Sequence, residues 1–399
     1  MSAAQLPGGL TAYVGAGGGG DTAAAVVRSL AHPAGCRAAV YGAGYSSAEY
    51  ARSLASGVRA APGSGRDYDR LPFGGDSGLI DDYLRDTGAR DHAGRDAPVF
   101  QVRPARGSRH VAALFEGLRV DGSAAVDEQG AGFKHMSLLD ECSVVAQLAP
   151  PHPVYIFGSV RDLRDAAAAR IAYEALAAHL HAADTRRLVL IDFGADVLDF
   201  AAPTGERRPL ARDTTVLLMA LHMLLTGVIV ALRLEVYGPG VDAHDTLDAV
   251  MHRLQALESL GLARVLPAGA AGPEVDAFVA RLRQHEAPLA RCGLLRRGRA
   301  TANFLRAHSR SVATTGEDAS NEFMAEWLEA RDDFAKRSAL EQVAFREATR
   351  RYLAGDPARA EQFRAVVLVQ LDTAEAAQRF VDAVCAPEYA QLVAALEAR

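Results

Sequence analysis

An apolar run, "LTAYVG" at residues 10–15, passes into an alanine- and valine-rich stretch, "DTAAAVVRSLA" at 21–31, through a turn in which five of the six residues 15–20 are glycine. Glycine loses more backbone entropy on folding than any other residue. A run of it is therefore costly unless the chain must turn tightly or let its backbone approach something closely. Strand, glycine-rich turn and helix in that order satisfy G-x-G-x-x-G and form the opening unit of a dinucleotide-binding βαβ fold. In such a unit the backbone N–H groups and the helix N-terminus attract an anion. Gly15, Gly17, Gly18, Gly19 and Gly20 are accordingly candidate ligand-binding positions, and Asp21 or Thr22 can cap the helix that follows.

Further strand-like runs lie at 37–42, 97–104, 154–158, 186–194, 227–238 and 365–371. None alternates apolar with polar residues as a half-exposed antiparallel strand does. Helical patterns separate several of them, notably "RDLRDAAAARIAYEALAAHLHAA" and "RDTTVLLMALHMLL". This alternation predicts an α/β fold with a doubly wound, mostly parallel, Rossmann-like sheet. From about residue 243 helical patterns dominate, including a long run over 320–354, and "DTAE" (Asp372–Glu375) reads as a capping box. The expected organisation is a Rossmann-like domain over 1–310 and a mainly helical C-terminal extension over 311–399 packed on it. Two polar stretches, 57–96 and 120–133, interrupt the pattern as long loops.

Composition excludes several classes. Hydrophobic residues make up 49% of the chain and charged residues 23%, a globular balance that can bury a core. The net charge is -6 and no stripe gathers the basic residues, so the footprint of a nucleic-acid binder is missing. Cys36, Cys142, Cys292 and Cys385 are far apart, which suits reduced thiols rather than a disulfide framework or zinc site. "VLLMALHMLLTGVIVALRLEV" at 216–236 has the length of a membrane span, but His222, Thr226, Gly227 and Arg233 interrupt it. It reads as a buried helix, a Thr-Gly stop and a buried strand. With no leader sequence at its start, the chain is expected to be soluble and cytoplasmic. It should bind a small molecule, engage neither nucleic acid nor membrane, and have scope to form homo-oligomers.

A nicotinamide site calls for a carboxylate at the end of the second strand, to bind the ribose hydroxyls. Here that position reads "VYGAGYSSAEY", with Gly42, Gly44, Ser46 and Ser47 and no carboxylate before Glu49. Ser46, Ser47 and Arg52 suit a 2′-phosphate, so NADP stays open as a less favoured cofactor. Asp21 beside the expected anion favours a hydroxyl-bearing or metal-bridged ligand instead.

The glycine–aspartate turn also recurs, in "FGGD" at Asp76, "IDFGAD" at Asp196 and "YGPGVD" at Asp242. Three of the four turns follow expected strands, and ligands of open α/β sheets bind outside the carboxyl ends of the strands. Asp21, Asp192, Asp196 and Asp242 should therefore converge there, with Gly238 and Gly240 supplying backbone. Clustered carboxylates suit Mg²⁺ or another divalent cation, or acid–base work. Asp192 and Asp196 are the candidate catalytic and metal-holding pair. Asp192, directly after "RLVLI", is costly to bury without a partner. No G-x-S-x-G elbow, H-E-x-x-H or P-loop lysine is present.

"VGAGGGGDTAAA", "VLIDFGADVL" and "LEVYGPGVDA", in this order, resemble the family known as domain of unknown function 1152. The matching residues are Gly17–Asp21, Asp192–Asp196 and Gly238–Asp242, and the resemblance spans about 8–310. It implies an α/β fold and a small-molecule site but no reaction. The family pattern carries two glycines before the final aspartate of the central motif, and here the second is Ala195. The leading expectation is an enzyme, a transferase or hydrolase before an oxidoreductase, acting on a phosphorylated or nucleotide-like metabolite. The alternatives are a non-catalytic metabolite-binding or sensor protein and an NADP-linked oxidoreductase.

Overall fold

The computed structural model describes residues 9–17, 19–44, 99–102, 148, 150–158, 160, 163–164, 166–200, 212–241, 247–266, 273–291, 294–295, 300–309 and 364–398. Its strands are β1 (Leu10–Gly15), β2 (Ala38–Gly44), β3 (Val99–Val102), β4 (Val154–Gly158), β5 (Thr185–Phe193), β6 (Ala231–Tyr237), β7 (Ala263–Leu266) and β8 (Val366–Leu371). They form one eight-stranded sheet in the order β3-β4-β2-β1-β5-β6-β8-β7. Pairs β4–β2, β2–β1, β1–β5 and β5–β6 are parallel, whereas β3 on β4 and β8 on both β6 and β7 are antiparallel. β1, β2, β4 and the inner half of β5 are largely apolar on both faces because helices cover both, as a parallel sheet requires, whereas β6 carries Arg233 and Glu235.

On one face lie α1 (Gly19–Ser29), α5 (Pro273–Gln284) and α7 (Ala300–Ser309). On the other lie α2 (Ala166–Ala182), α3 (Arg212–Leu225), α4 (Leu247–Ser259), α8 (Ala374–Phe380) and α9 (Ala386–Glu397). A short α6 (Glu286–Arg291) follows α5. Helix α2 shows how the second face is built. Ala169, Ala172, Leu176 and Leu180 recur at helical spacing and are its buried residues, one stripe laid on the core. Helix α3 is apolar nearly all round and ends at a Thr226–Gly227 turn. There Thr226 donates to His222 O at 2.7 Å and Gly227 takes φ 77°. The 216–236 stretch is thus a buried helix followed by β6, and no helix among the described residues is long and apolar enough to cross a membrane.

Three features depart from the sequence reading. First, the strand expected at 365–371 is β8, and it runs antiparallel between β6 and β7, so the C-terminal part adds to the sheet instead of only packing on it. Second, "ARVL" forms β7, which the sequence reading left among helices; four residues earn strand geometry only by pairing with β8, about a hundred positions later. Third, the cap at the C-terminal helices is Thr373, whose side chain accepts from Ala376 N, one residue after the expected Asp372. The 57–96 and 120–133 stretches and the 320–354 run lie outside the described residues.

Candidate functional site

The chain places β2 and β4 on one side of β1, then crosses to β5 and β6 on the other. The order therefore reverses between β1 and β5, and the crevice outside their carboxyl ends is where open α/β sheets bind ligands. Backbone hydrogen bonds knit the three turns at this edge together. Ala16 N donates to Ile191 O at 2.9 Å, Gly194 N to Tyr237 O at 3.2 Å, and Gly240 N to Gly194 O. The turns after β1, β5 and β6, expected to converge, are neighbours here.

Three carboxylates meet at the reversal: Asp21 from the first turn of α1, Asp192 from the end of β5 and Asp213 from the first turn of α3. One oxygen of each lies within 4.8 Å of the others, and the residues are 7%, 0% and 7% exposed. Each structural layer contributes one: the helix above the sheet, the sheet and the helix below. Asp21 does not cap its own helix, because α1 already begins at Gly19; its Oδ1 accepts from Phe193 N at 3.0 Å. Asp192 Oδ2 accepts from Ala195 N at 2.8 Å. That bond needs the backbone to fold back over the carboxylate, and Gly194 and Ala195 do so with φ of 115° and 92°. Ala195 thus holds a left-handed conformation normally left to glycine, which stores strain in this turn.

The glycines divide by role. A Cβ on Gly17 would land on the carboxylates of Asp213 and Asp21, so this position lines the acidic group directly. A Cβ on Gly15 would stand 2.5 Å from Thr22 N, and one on Gly42 2.7 Å from Thr22 Oγ1; these two let α1 lie against β1 and β2. Gly20 faces the Thr301 hydroxyl at the start of α7. Gly19 opens α1 and Gly44 ends β2 against Gly158. Gly238 and Gly240 turn the chain after β6 with φ of 61° and 86°. Gly18, Ser46, Ser47, Asp76 and Asp242 lie outside the described residues.

Asp196 is not one of the three clustered residues. It is half-buried and heads a 3₁₀ turn, Asp196–Leu198, whose first carbonyl accepts from Thr214 Oγ1 at 2.9 Å. The place expected for it is taken by Asp213, which the sequence reading passed over. A signal existed: Asp213, Thr214 and Thr215 are three polar residues opening an otherwise apolar helix, and all three are buried. Knowing that this helix starts beside β5 required the tertiary fold.

The fold and this edge define a Rossmann-like α/β protein with an acidic group at its topological switch point. Comparison with family models, curated proteins and solved structures finds no match.

Proposed function

We propose that the chain is an enzyme of small-molecule metabolism, a transferase or hydrolase, that acts on a phosphorylated or nucleotide-like metabolite at the carboxyl edge of β1 and β5. One observation carries this reading: three buried carboxylates from three separate elements meet at the switch point. Two negative charges no more than 4.8 Å apart repel by at least about 3 kcal/mol at an effective dielectric of ~20. The first turns of α1 and α3 offset part of this through their dipoles, worth up to about 1 kcal/mol each at exposed sites. A hard divalent cation offsets the rest, and an all-carboxylate donor set suits Mg²⁺, Mn²⁺ or Ca²⁺. Asp21, Asp192 and Asp213 would hold it, and such a cation supplies charge neutralisation to a bound phosphate.

The chain's own residues do the remaining work. Backbone N–H groups at the start of α1 receive the anionic end of the ligand. Asp192, held by Ala195 N, keeps its carboxylate in the acidic group, and Asp196, half-buried four residues further on, is the candidate acid–base partner. Gly238 and Gly240 shape the neighbouring wall. The resemblance to domain of unknown function 1152 belongs to this proposal, as does a cytoplasmic location, which the unpaired Cys36 and Cys385 suit.

The test is a thermal-shift and turnover screen of nucleotides and sugar phosphates, with and without Mg²⁺ or Mn²⁺, on the wild type and Asp192→Asn. A ligand at 100 times its dissociation constant should stabilise the wild type by about 2.7 kcal/mol. The variant should lose the cation-dependent part and all turnover. Cation-independent binding with no turnover in any arm would replace this reading with that of a metabolite sensor, and retention on NADP with reductase activity would replace it with an oxidoreductase.

A further inference from the structure

Helix α1 carries Asp21 into the acidic group, yet its contact with the sheet says little about where along its axis it should sit. Its buried apolar side chains are Ala23, Ala24, Ala25, Val26 and Val27, joined by the small polar Thr22 and Ser29, and the strands beneath offer the bare backbone of Gly15 and Gly42. Small residues on glycine allow close approach but do not interdigitate, so they fix separation better than register. Directional bonds must set the rest.

Such bonds lie at the far end of the helix. Arg28, in its last turn, reaches across β1 and β5 to Glu235 on β6, with Nε at 3.0 Å from Oε2 and an Nη at 3.3 Å from Oε1. This two-bond fork fixes direction as well as distance. Glu235 is 1% exposed and is also held by Arg233 at 2.8 Å and by the Tyr237 hydroxyl, which donates at 2.7 Å. Burial alone would raise its carboxyl, but the two guanidinium groups and the hydrogen bonds win and hold it below the usual carboxylate range. Arg28 also stands over the Tyr13 ring, 6.0 Å from its centre. A buried ion pair contributes little net stability compared with apolar residues of the same size, so its presence here calls for another role.

We infer that the Arg28–Glu235 clasp is a positioning device for the acidic group, setting α1 at the register that brings Asp21 to Asp192 and Asp213. This rests on the reading of that group as a cation site. Two connections carry it. The same helix is tied at its other end by Asp21 to Phe193 N, so the clasp and the carboxylate are opposite ends of one short rigid rod. Glu235 also receives Tyr237, whose carbonyl accepts from Gly194 N in the turn that presents Asp192. The clasp thus joins the element bearing Asp21 to the one that orients Asp192.

The experiment measures Mn²⁺ affinity by titration calorimetry, with melting temperature recorded alongside, on the full chain and four variants. Arg28→Lys keeps the charge and loses the fork. Arg28→Met combined with Glu235→Met replaces the pair with apolar packing and guards against a variant that fails to fold. Leu392→Ala on α9 loosens the opposite face as a stability control, and Asp192→Asn tests the site itself. The clasp variants should bind Mn²⁺ at least about tenfold more weakly, the usual consequence of losing a group that orients a ligand. The Met pair should do so while melting close to the wild type, and Leu392→Ala should melt lower with unchanged affinity. Wild-type affinity in both clasp variants overturns the positioning role alone. Equal Mn²⁺ binding by Asp192→Asn and the wild type, or none by the wild type, overturns the cation site and this inference with it.

Discussion

The two faces of the sheet are built on different principles. The face under α2, α3, α8 and α9 is packed with bulk: Leu176, Leu180, Leu217, Leu221, Leu224, Phe380 and Leu392 interlock with Leu188, Leu190, Leu232 and Leu234. The face under α1 combines alanine and glycine with a buried Arg–Glu–Tyr network, and adds an aromatic group of Phe193, Tyr237, Phe278 and Phe304. Bulk that interdigitates stabilises strongly and sets the register of its helices by shape alone. Directional bonds across a smooth surface stabilise less but specify a position. The acidic group sits where the two faces meet, taking Asp213 from the first and Asp21 from the second.

Substitutions can separate these roles. The largest loss of stability is expected on the bulky face. Leu180→Ala, at a fully buried position, should cost about 2–5 kcal/mol in denaturant unfolding and leave Mn²⁺ affinity alone. A coupled loss of affinity would show that the faces are not independent. Gly15→Ala should cost about 1–3 kcal/mol because the new methyl meets the helix backbone, which cannot swing aside as a side-chain tip can. Unlike the leucine change it should also weaken Mn²⁺ binding, since it lifts Asp21 away.

A third effect is visible only through pH. His308, on α7 above the aromatic group, is pushed down to about 4 by burial and by the nearby Arg364 and Arg283. The folded protein keeps this ring neutral while the unfolded chain protonates it near 6.5, so between pH 6.5 and 4 the unfolded state binds the extra proton. Stability should therefore fall across that window as pH drops, by on the order of 3 kcal/mol. His308→Gln should flatten the slope in urea titrations run from pH 7 to pH 4. An unchanged slope would assign it to other groups.

The smallest expected effect is a gain. Ala195→Gly removes the left-handed strain and should stabilise by about 1 kcal/mol in thermal or urea unfolding. Destabilisation would mean that the alanine methyl, 2% exposed in the core, contributes more by packing than its backbone loses by strain.

Much of this architecture was legible in the chain. The glycine turn between β1 and α1 and the buried runs of β4, β5 and β6 follow from local pattern, because each is decided within about a dozen residues; that the three glycine turns share one edge follows from the parallel order of their strands. The Thr226–Gly227 stop inside a span-length apolar stretch is of the same kind. Asp21 and Asp192 were legible for that reason too: both stand next to turns whose geometry the sequence announces. Asp213 was not, since nothing within its own helix says that the helix begins beside β5. Asp196 shows the converse, with a convincing motif position but a side chain outside the acidic group.

The sequence by itself determined most kinds of element, their order and the turns that end the central strands, because hydrophobic period and glycine placement act locally. The tertiary structure alone decided which carboxylates meet, that β8 enters the sheet beside β6, and that Arg28 reaches Glu235 across two intervening strands. Those are contacts between residues far apart in the chain, fixed only when helices from both faces close on one sheet.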